Sequence, residues 1–242
     1  MSLENIILGG TELKTVIIHG QNHKGSTYNI AHGLAMKLGG ELTEFFLPKD
    51  FGQFCCGCTQ CIVNDAEKCP HYSKLAPITK ALDDADVIIL ASPVYVYHVT
   101  GAMKALLDHY GWRWMVHRPE EKMFRKQAVC ICTAAGAGMR STIKDMADSL
   151  FFWGVPKIYK IGTAVQATSW ETVAESKRAK IEKSSDTIAR RIIKNQNKVK
   201  PGIKTKGFFG IMRMIQKSGW NPRDVEYWKE KGWIGKERPW KG

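Results

Sequence analysis

The sequence predicts an α/β protein: a five-stranded parallel sheet with helices on both faces, followed by a helical C-terminal extension. Three observations carry this prediction. Short β-rich runs alternate with amphipathic helical stretches, the pattern of a sheet whose crossovers are helices. Three of the strands run straight into loops rich in small and hydroxyl residues, as ligand-binding sheet edges do. Charge is also divided along the chain. Residues 1–176 hold 17 basic and 17 acidic residues, residues 177–242 hold 19 and 6, and the net charge of +13 therefore lies in the last 66 residues. The expected organisation is a neutral body over 1–176 and a basic, aromatic extension over 177–242, in a chain of 242 residues long enough for a sizeable core.

The elements follow in order. Lys14–His19 (KTVIIH) is a buried strand, and the Gly-bearing loop after it leads into a helix over Ser26–Leu38. Asn5–Leu8 competes as a first strand but is short and lacks the loop chemistry that follows His19. Glu41–Leu47 is the second strand, and a long cysteine-bearing loop separates it from a helix over Leu75–Asp84. Val87–Ala91 (VIILA) is the third strand, with Gly101–Tyr110 helical beyond its loop. Ala128–Thr133 (AVCICT) is the fourth, Arg140–Trp153 its helix, Lys157–Thr163 the fifth, and Thr172–Gln196 a long charged helix. Asp108, His109, Trp112 and Trp114 are expected to pack against a partner. Cys130 and Cys132, two apart on a strand, share a face and read as core thiols.

Several classes are excluded. The longest uncharged stretch, Val87 to Met103, is broken by Pro93, His98 and Gly101, too short and too polar to span a membrane. The opening MSLENIILGGTELK has neither a basic n-region nor an apolar h-region, so a cytoplasmic protein is expected. No Ser-His-Asp constellation, HExxH motif or paired carboxylates stand out, and no catalytic acid or base is named.

Three loops carry the candidate chemistry. In Gly20-Gln21-Asn22-His23-Lys24-Gly25-Ser26-Thr27, backbone N–H groups at a helix N-terminus join two hydroxyls, an amide and a lysine, the makings of a phosphate cradle. It is neither a Walker loop nor GxGxxG, and a plain helix cap is the rival reading. Ser92-Pro93-Val94-Tyr95-Val96-Tyr97-His98 offers flat aromatic surface for a planar ring, against a turn whose tyrosines pack on neighbours. Thr133-Ala134-Ala135-Gly136-Ala137-Gly138 lets a ligand approach the backbone closely.

The combination HGQNHKGST, SPVYVYHVTGAMKALLDH and CTAAGAG resembles the NAD(P)H-dependent FMN reductase branch of the flavodoxin-like flavoproteins, over roughly residues 14–165. The resemblance implies a flavodoxin-like three-layer fold with strand order 2-1-3-4-5, FMN as cofactor and NAD(P)H as cosubstrate. It places the FMN phosphate at Gln21, Asn22, Lys24, Ser26 and Thr27. The isoalloxazine then borders Pro93, Val94, Tyr95, Val96 and Tyr97, and its polar edge meets Thr133, Ala134, Gly136 and Gly138. Where the family often has Ser-Pro-Arg after the first glycine, this chain has Gln21-Asn22-His23, a less cationic cradle.

Five of the seven cysteines lie within fifteen residues. Cys55-x2-Cys58-x2-Cys61-x7-Cys69-Pro70 has the compact spacing of ferredoxin-type ligand runs and resembles the motif of iron–sulfur flavoproteins, with Cys56 the spare thiol. A 4Fe–4S cluster, a zinc site and unmetallated thiols are the three readings. An FMN-dependent oxidoreductase is the leading expectation, its acceptor a quinone, nitro compound, flavin or iron–sulfur centre. A flavodoxin-type or iron–sulfur electron carrier and a nucleic-acid-binding module are the alternatives, the last disfavoured because the tail has no known reader motif. The apolar spacing of Phe208, Phe209, Ile211, Met212, Met214 and Ile215, with Trp220, Trp228, Trp233 and Trp240, predicts a tail docked on its own body or on the partner of a homodimer or tetramer. A membrane surface is the rival.

Overall fold

The computed structural model describes residues 12–241. The competing strand at Asn5–Leu8 lies outside them. Five parallel strands, β1 (Lys14–His19), β2 (Glu41–Phe46), β3 (Val87–Ala91), β4 (Gln127–Ala134) and β5 (Lys157–Ala164), form one sheet in the order β2-β1-β3-β4-β5. In register, Ile17 of β1 stands beside Ile89 of β3, and Ile89 beside Val129 of β4.

Alternation along each strand sends neighbouring side chains to opposite faces. Val16, Ile18, Ile88, Leu90, Cys130 and Cys132 enter one core beneath α3 (Tyr72–Asp84), α4 (Gly101–Asp108) and α5 (Met139–Phe152). Ile17, Val87, Ile89, Val129 and Ile131 enter the other, beneath α1 (Ser26–Leu38) and α6 (Glu175–Lys194). A parallel sheet buried on both faces accounts for the continuous apolar runs of β3 and β4, whose residues are all buried. Burial also pushes the Cys130 and Cys132 thiols up to about 12, which leaves them unreactive.

The basic segment does not begin as an appendage. Its first helix, α6, lays Ile181, Ile188 and Ile192 into the core opposite α1, and Lys37 of α1 reaches Asp186 at 2.7 Å. The change in charge at residue 177 therefore does not mark a change in packing. Beyond it, α7 (Ile203–Lys217) and α8 (Pro222–Glu230) bring Phe209, Met212, Trp228 and Trp233 onto Met115 and Phe124 of the body in a third apolar cluster. Trp228 Nε1 donates to the His117 carbonyl at 2.6 Å and the Tyr227 hydroxyl to the Pro119 carbonyl at 2.8 Å. The aromatic residues around 109–114 likewise find partners within the chain: Trp114 stacks on Phe152 at 4.4 Å, and His109 meets Phe51 edge-on at 4.8 Å. No described helix is long and apolar enough to cross a membrane.

Candidate functional site

The carboxyl ends of β1, β3 and β4 are adjacent, so the three loops that follow them share one edge of the sheet at its topological switch point. The first loop is locked to the second. The Gly20 N–H donates to the Ala91 carbonyl at 2.7 Å, and the Thr100 hydroxyl donates to the Gly20 carbonyl at 2.6 Å. A Cβ at Gly20 would stand 2.9 Å from Thr100 Oγ1 and 3.1 Å from Ser92 Oγ, so the approach requires glycine. Ser92 Oγ accepts from the Thr100 N–H at 3.0 Å, and Thr100 Oγ1 caps α4 by accepting from the Met103 N–H at 3.1 Å.

At the start of α1, Gly25 is the N-cap, no side chain caps the helix, and the first turn holds no acidic residue. Its free N–H groups and positive dipole end suit an anion. Asn22 and Lys24 are exposed beside it and Ser26 is half-buried. Gln21 accepts a hydrogen bond from the Tyr95 hydroxyl at 3.2 Å, which ties the first two loops at their rims. Thr27 behaves differently from its neighbour. It is buried with its hydroxyl 2.6 Å from that of Thr133, so the pair joins the first loop to the third.

In the second loop, Tyr95 and His98 exchange backbone hydrogen bonds at 2.9 and 3.0 Å around a tight turn. Val96 and Tyr97 occupy that turn with φ of +47° and +67°, a conformation side chains other than Gly, Asn or Asp rarely adopt. Their exposures are 93% and 63%, and Tyr95 is 51% exposed. Backbone strain held in an exposed aromatic turn is a mark of ligand clamps. The turn is anchored from α5: Asp145 accepts from the Val99 N–H at 3.4 Å and lies 3.0 Å from His98 Nδ1, and the Ser141 hydroxyl donates to the Tyr97 carbonyl. Pro93 and Val94 are half-buried, and the Val94 N–H donates to the Thr133 carbonyl at 2.8 Å.

In the third loop Thr133 and Ala134 are buried, whereas Ala135, Gly136 and Ala137 are exposed. Gly138 has φ of +94°, and a Cβ there would lie 2.6 Å from Val94 Cγ1. The edge thus presents an uncapped helix N-terminus, two exposed tyrosines and an open stretch of backbone. Ser92 and Thr100 belong to the second motif, but their role in holding these parts together, and Asp145 altogether, were missed by sequence reasoning. Of the tying roles, that of Thr100, a threonine just ahead of an apolar helical run, had a local signal, that of an N-cap.

In the cysteine loop, Cys55, Cys56 and Cys58 are exposed, while Cys61, on the short helix α2 (Gln60–Val63), and Cys69 are half-buried. Burial pushes the Cys61 thiol up to about 11, with like-charge repulsion from Cys69, Cys55 and Cys58 adding to it. Burial also raises Cys69, opposed by a hydrogen bond from the His71 backbone. The thiols are thus near enough to repel one another, and a soft cation bound among them would reverse that repulsion. Beside Cys69, His71 Nδ1 lies 2.9 Å from His109 Nε2, and the other ring nitrogen of His109 is bonded to the Ala105 carbonyl at 2.7 Å. One ligand atom from each of Cys69, His71 and His109 lies within 4.8 Å of the others, a juxtaposition the sequence did not reveal.

The family of NADPH-dependent FMN reductases matches residues 13–168, the stretch that contains all three loops and the cysteines between them. An iron–sulfur flavoprotein of Archaeoglobus fulgidus is 28% identical over 188 residues, which cover 75% of this chain and 80% of that protein. One from Methanocaldococcus jannaschii is 32% identical over 80 residues, 33% of this chain and 40% of that protein. Among solved structures, a flavone reductase superposes with a TM-score of 0.55 at 16% identity, over 78% of this chain and 66% of that one. An NADH:FMN oxidoreductase does so with a TM-score of 0.53 at 17% identity, over 80% and 93%. These two likenesses bear on the fold, which is flavodoxin-like. Taken with the matched sequence, they make this chain an oxidoreductase belonging to the family of NADPH-dependent FMN reductases.

Proposed function

We propose that the chain is an FMN-dependent NAD(P)H oxidoreductase: the β1, β3 and β4 loops would hold its flavin, and the cysteine loop would supply ligands for a metal cluster able to take up single electrons. The observation that carries this reading is the convergence of the three loops around the uncapped start of α1. FMN supplies hydride and single-electron chemistry when bound. The chain's own residues bind and orient it. The α1 N-terminus, Ser26, Asn22 and Lys24 hold the phosphate, with Gln21 at the rim. Thr27 contributes through its bond to Thr133, which fixes the spacing of the first and third loops. Pro93, Val94, Tyr95, Val96 and Tyr97 border the ring, and the backbone from Thr133 and Ala134 through Gly136 to Gly138 lines its polar edge.

Ser26→Ala and Thr27→Ala should therefore separate. Ser26→Ala removes one donor to a dianion, worth about 1.5–3 kcal/mol, and FMN binding weakens about tenfold or more with stability unchanged. Thr27→Ala breaks an internal bond and lowers unfolding free energy by about 0.5–1.5 kcal/mol, read by denaturant titration of the flavin-free protein. Equal loss of flavin affinity in both, with no change in stability, would place both hydroxyls on the ligand.

For the cluster, Cys55, Cys58, Cys61 and Cys69 would be the ligands of a 4Fe–4S centre, a reading supported by their spacing and the names of the relatives. Cys58→Ser is expected to abolish iron and sulfide while leaving FMN content intact, measured on protein purified without air. The same preparation tests the main reading. Flavin absorbance bands and consumption of NAD(P)H with an artificial acceptor are expected. Colourless protein that takes up no FMN would overturn it, and flavin without NAD(P)H consumption would make the chain an electron carrier.

A further inference from the structure

The C-terminal extension does more than cover an apolar surface. Asp224 on α8 is fully buried, and its carboxylate accepts hydrogen bonds from Arg118 and from Asn221 Nδ2 at 2.8 Å, with His117 Nδ1 at 2.7 Å. Arg118 is 5% exposed, and the rest of its guanidinium is spent on the cysteine loop. It donates to the carbonyl of Cys61 and, at 3.0 Å, to that of Ile62. Asn221 Nδ2 reaches the same Ile62 carbonyl at 3.1 Å. One turn further, Arg223 Nε donates to Asp65 Oδ1 at 2.9 Å. Arg118 and Asn221 thus meet on the Cys61 and Ile62 carbonyls, and Arg223 ties the extension to the Asp65 side chain three residues on.

This arrangement has a physical logic. α2 is a single turn whose N-cap, Thr59, is left-handed and makes no capping side-chain bond. A helix of this length does not hold itself in water. The last carbonyls of a helix need donors, and here Arg118 and Asn221 supply them. A planar guanidinium fixed by a buried carboxylate can serve two carbonyls at once, which an ammonium cannot do with the same geometry. The carboxylate orients the guanidinium, the guanidinium fixes the carbonyls, and the carbonyls fix where Cys61 stands.

We propose that Arg118 and Asp224 are positioning residues for the cysteine loop: through them α8 holds the Cys61–Ile62 backbone and so sets where the Cys61 thiol stands among the cysteines of that loop. The link to metal rests on the cluster reading above; the placement of Cys61 does not. By linkage, a metal held by the loop stabilises the docked extension by as much as the docked extension tightens the metal.

The test uses Arg118→Lys, which keeps a cation beside Asp224 but cannot serve both carbonyls. Full-length protein is freed of metal by a chelator, alkylated with iodoacetamide at one pH, and each cysteine is followed by mass spectrometry. The expected result is alkylation of Cys61 about tenfold faster than in the unaltered protein, with Cys55 unchanged and Cys130 and Cys132 still protected. Protection of Cys130 and Cys132 is the control for an intact sheet. Unchanged Cys61 reactivity in Arg118→Lys overturns the proposal, because charge alone then suffices. If Cys130 and Cys132 also react, the milder Asn221→Ala decides: a rise confined to Cys61 supports the proposal and no rise overturns it. Iron content separates the two readings. Where unaltered protein made without air holds iron, Arg118→Lys should retain less than about half of it. Unaltered protein without iron overturns the cluster reading, and the alkylation pattern still decides the role of Arg118 and Asp224.

Discussion

Trp228→Ala is expected to lower the unfolding free energy by about 3–5 kcal/mol, a cost typical of emptying a fully buried tryptophan site. The indole is at zero exposure, stacks on Phe209 at 4.7 Å and meets Trp233 edge-on at 5.5 Å. Its loss leaves a cavity and also strips the His117 carbonyl of its donor. In a chain of this size the melting temperature should fall by roughly 6–20 °C. Circular dichroism through thermal and urea unfolding reads the effect. Removing residues 203–242 should cost more, because Met115 and Phe124 of the body would then face water. Ile203, Ile211 and Met214 stay exposed, and Trp220, also exposed, stacks on His117 at 5.6 Å. A truncated chain that keeps its stability and loses only liposome binding would show that membrane contact, not packing, is the work of the extension.

Gly138→Val should be the most damaging single change at the loop edge proposed to hold the flavin. The backbone there has φ of +94°, which a β-branched residue does not tolerate, and the first added carbon already overlaps Val94. Left-handed strain of about 1–2 kcal/mol and overpacking of about 1–3 kcal/mol both act on the junction of the second and third loops. The third loop moves away from Val94 and Tyr97, the aromatic turn loses its support, and FMN affinity falls by about a hundredfold or more. Quenching of flavin fluorescence on titration measures this directly. Near-native affinity would mean that the ring does not lie between these two loops.

Much of this was legible in the sequence because it is local. The five strands are rich in apolar and β-branched residues, with charges in the edge strands β2 and β5, and all five lie within a residue or so of their expected limits. α3 begins earlier than expected, at Tyr72, and α6 is shorter at both ends than the charged stretch Thr172–Gln196. The four-residue α2 escaped notice, since a single turn has no period to read and owes its form to donors from elsewhere. The three loops were recognisable because small residues, hydroxyls and tyrosines are placed directly after strands.

What the sequence by itself determined is therefore the set of elements, the sheet edge that bears the loops, and the cysteine spacing. Periodicity and turn chemistry are properties of a few neighbouring residues, and they act before the chain has any tertiary form. The tertiary structure alone decided which polar groups meet. Thr27 and Thr133 are 106 positions apart, and so are Arg118 and Asp224. Nothing in the neighbourhood of Thr27 separates its buried hydroxyl from the half-buried Ser26 beside it. Nor does anything around residue 177 announce that a strongly basic helix covers the sheet, since α6 buries a narrow stripe of Ile181, Ser185, Ile188, Ala189 and Ile192 and keeps most of its charges at the surface. Such pairings depend on how helices are set across the sheet, and that placement comes from packing summed over the whole core.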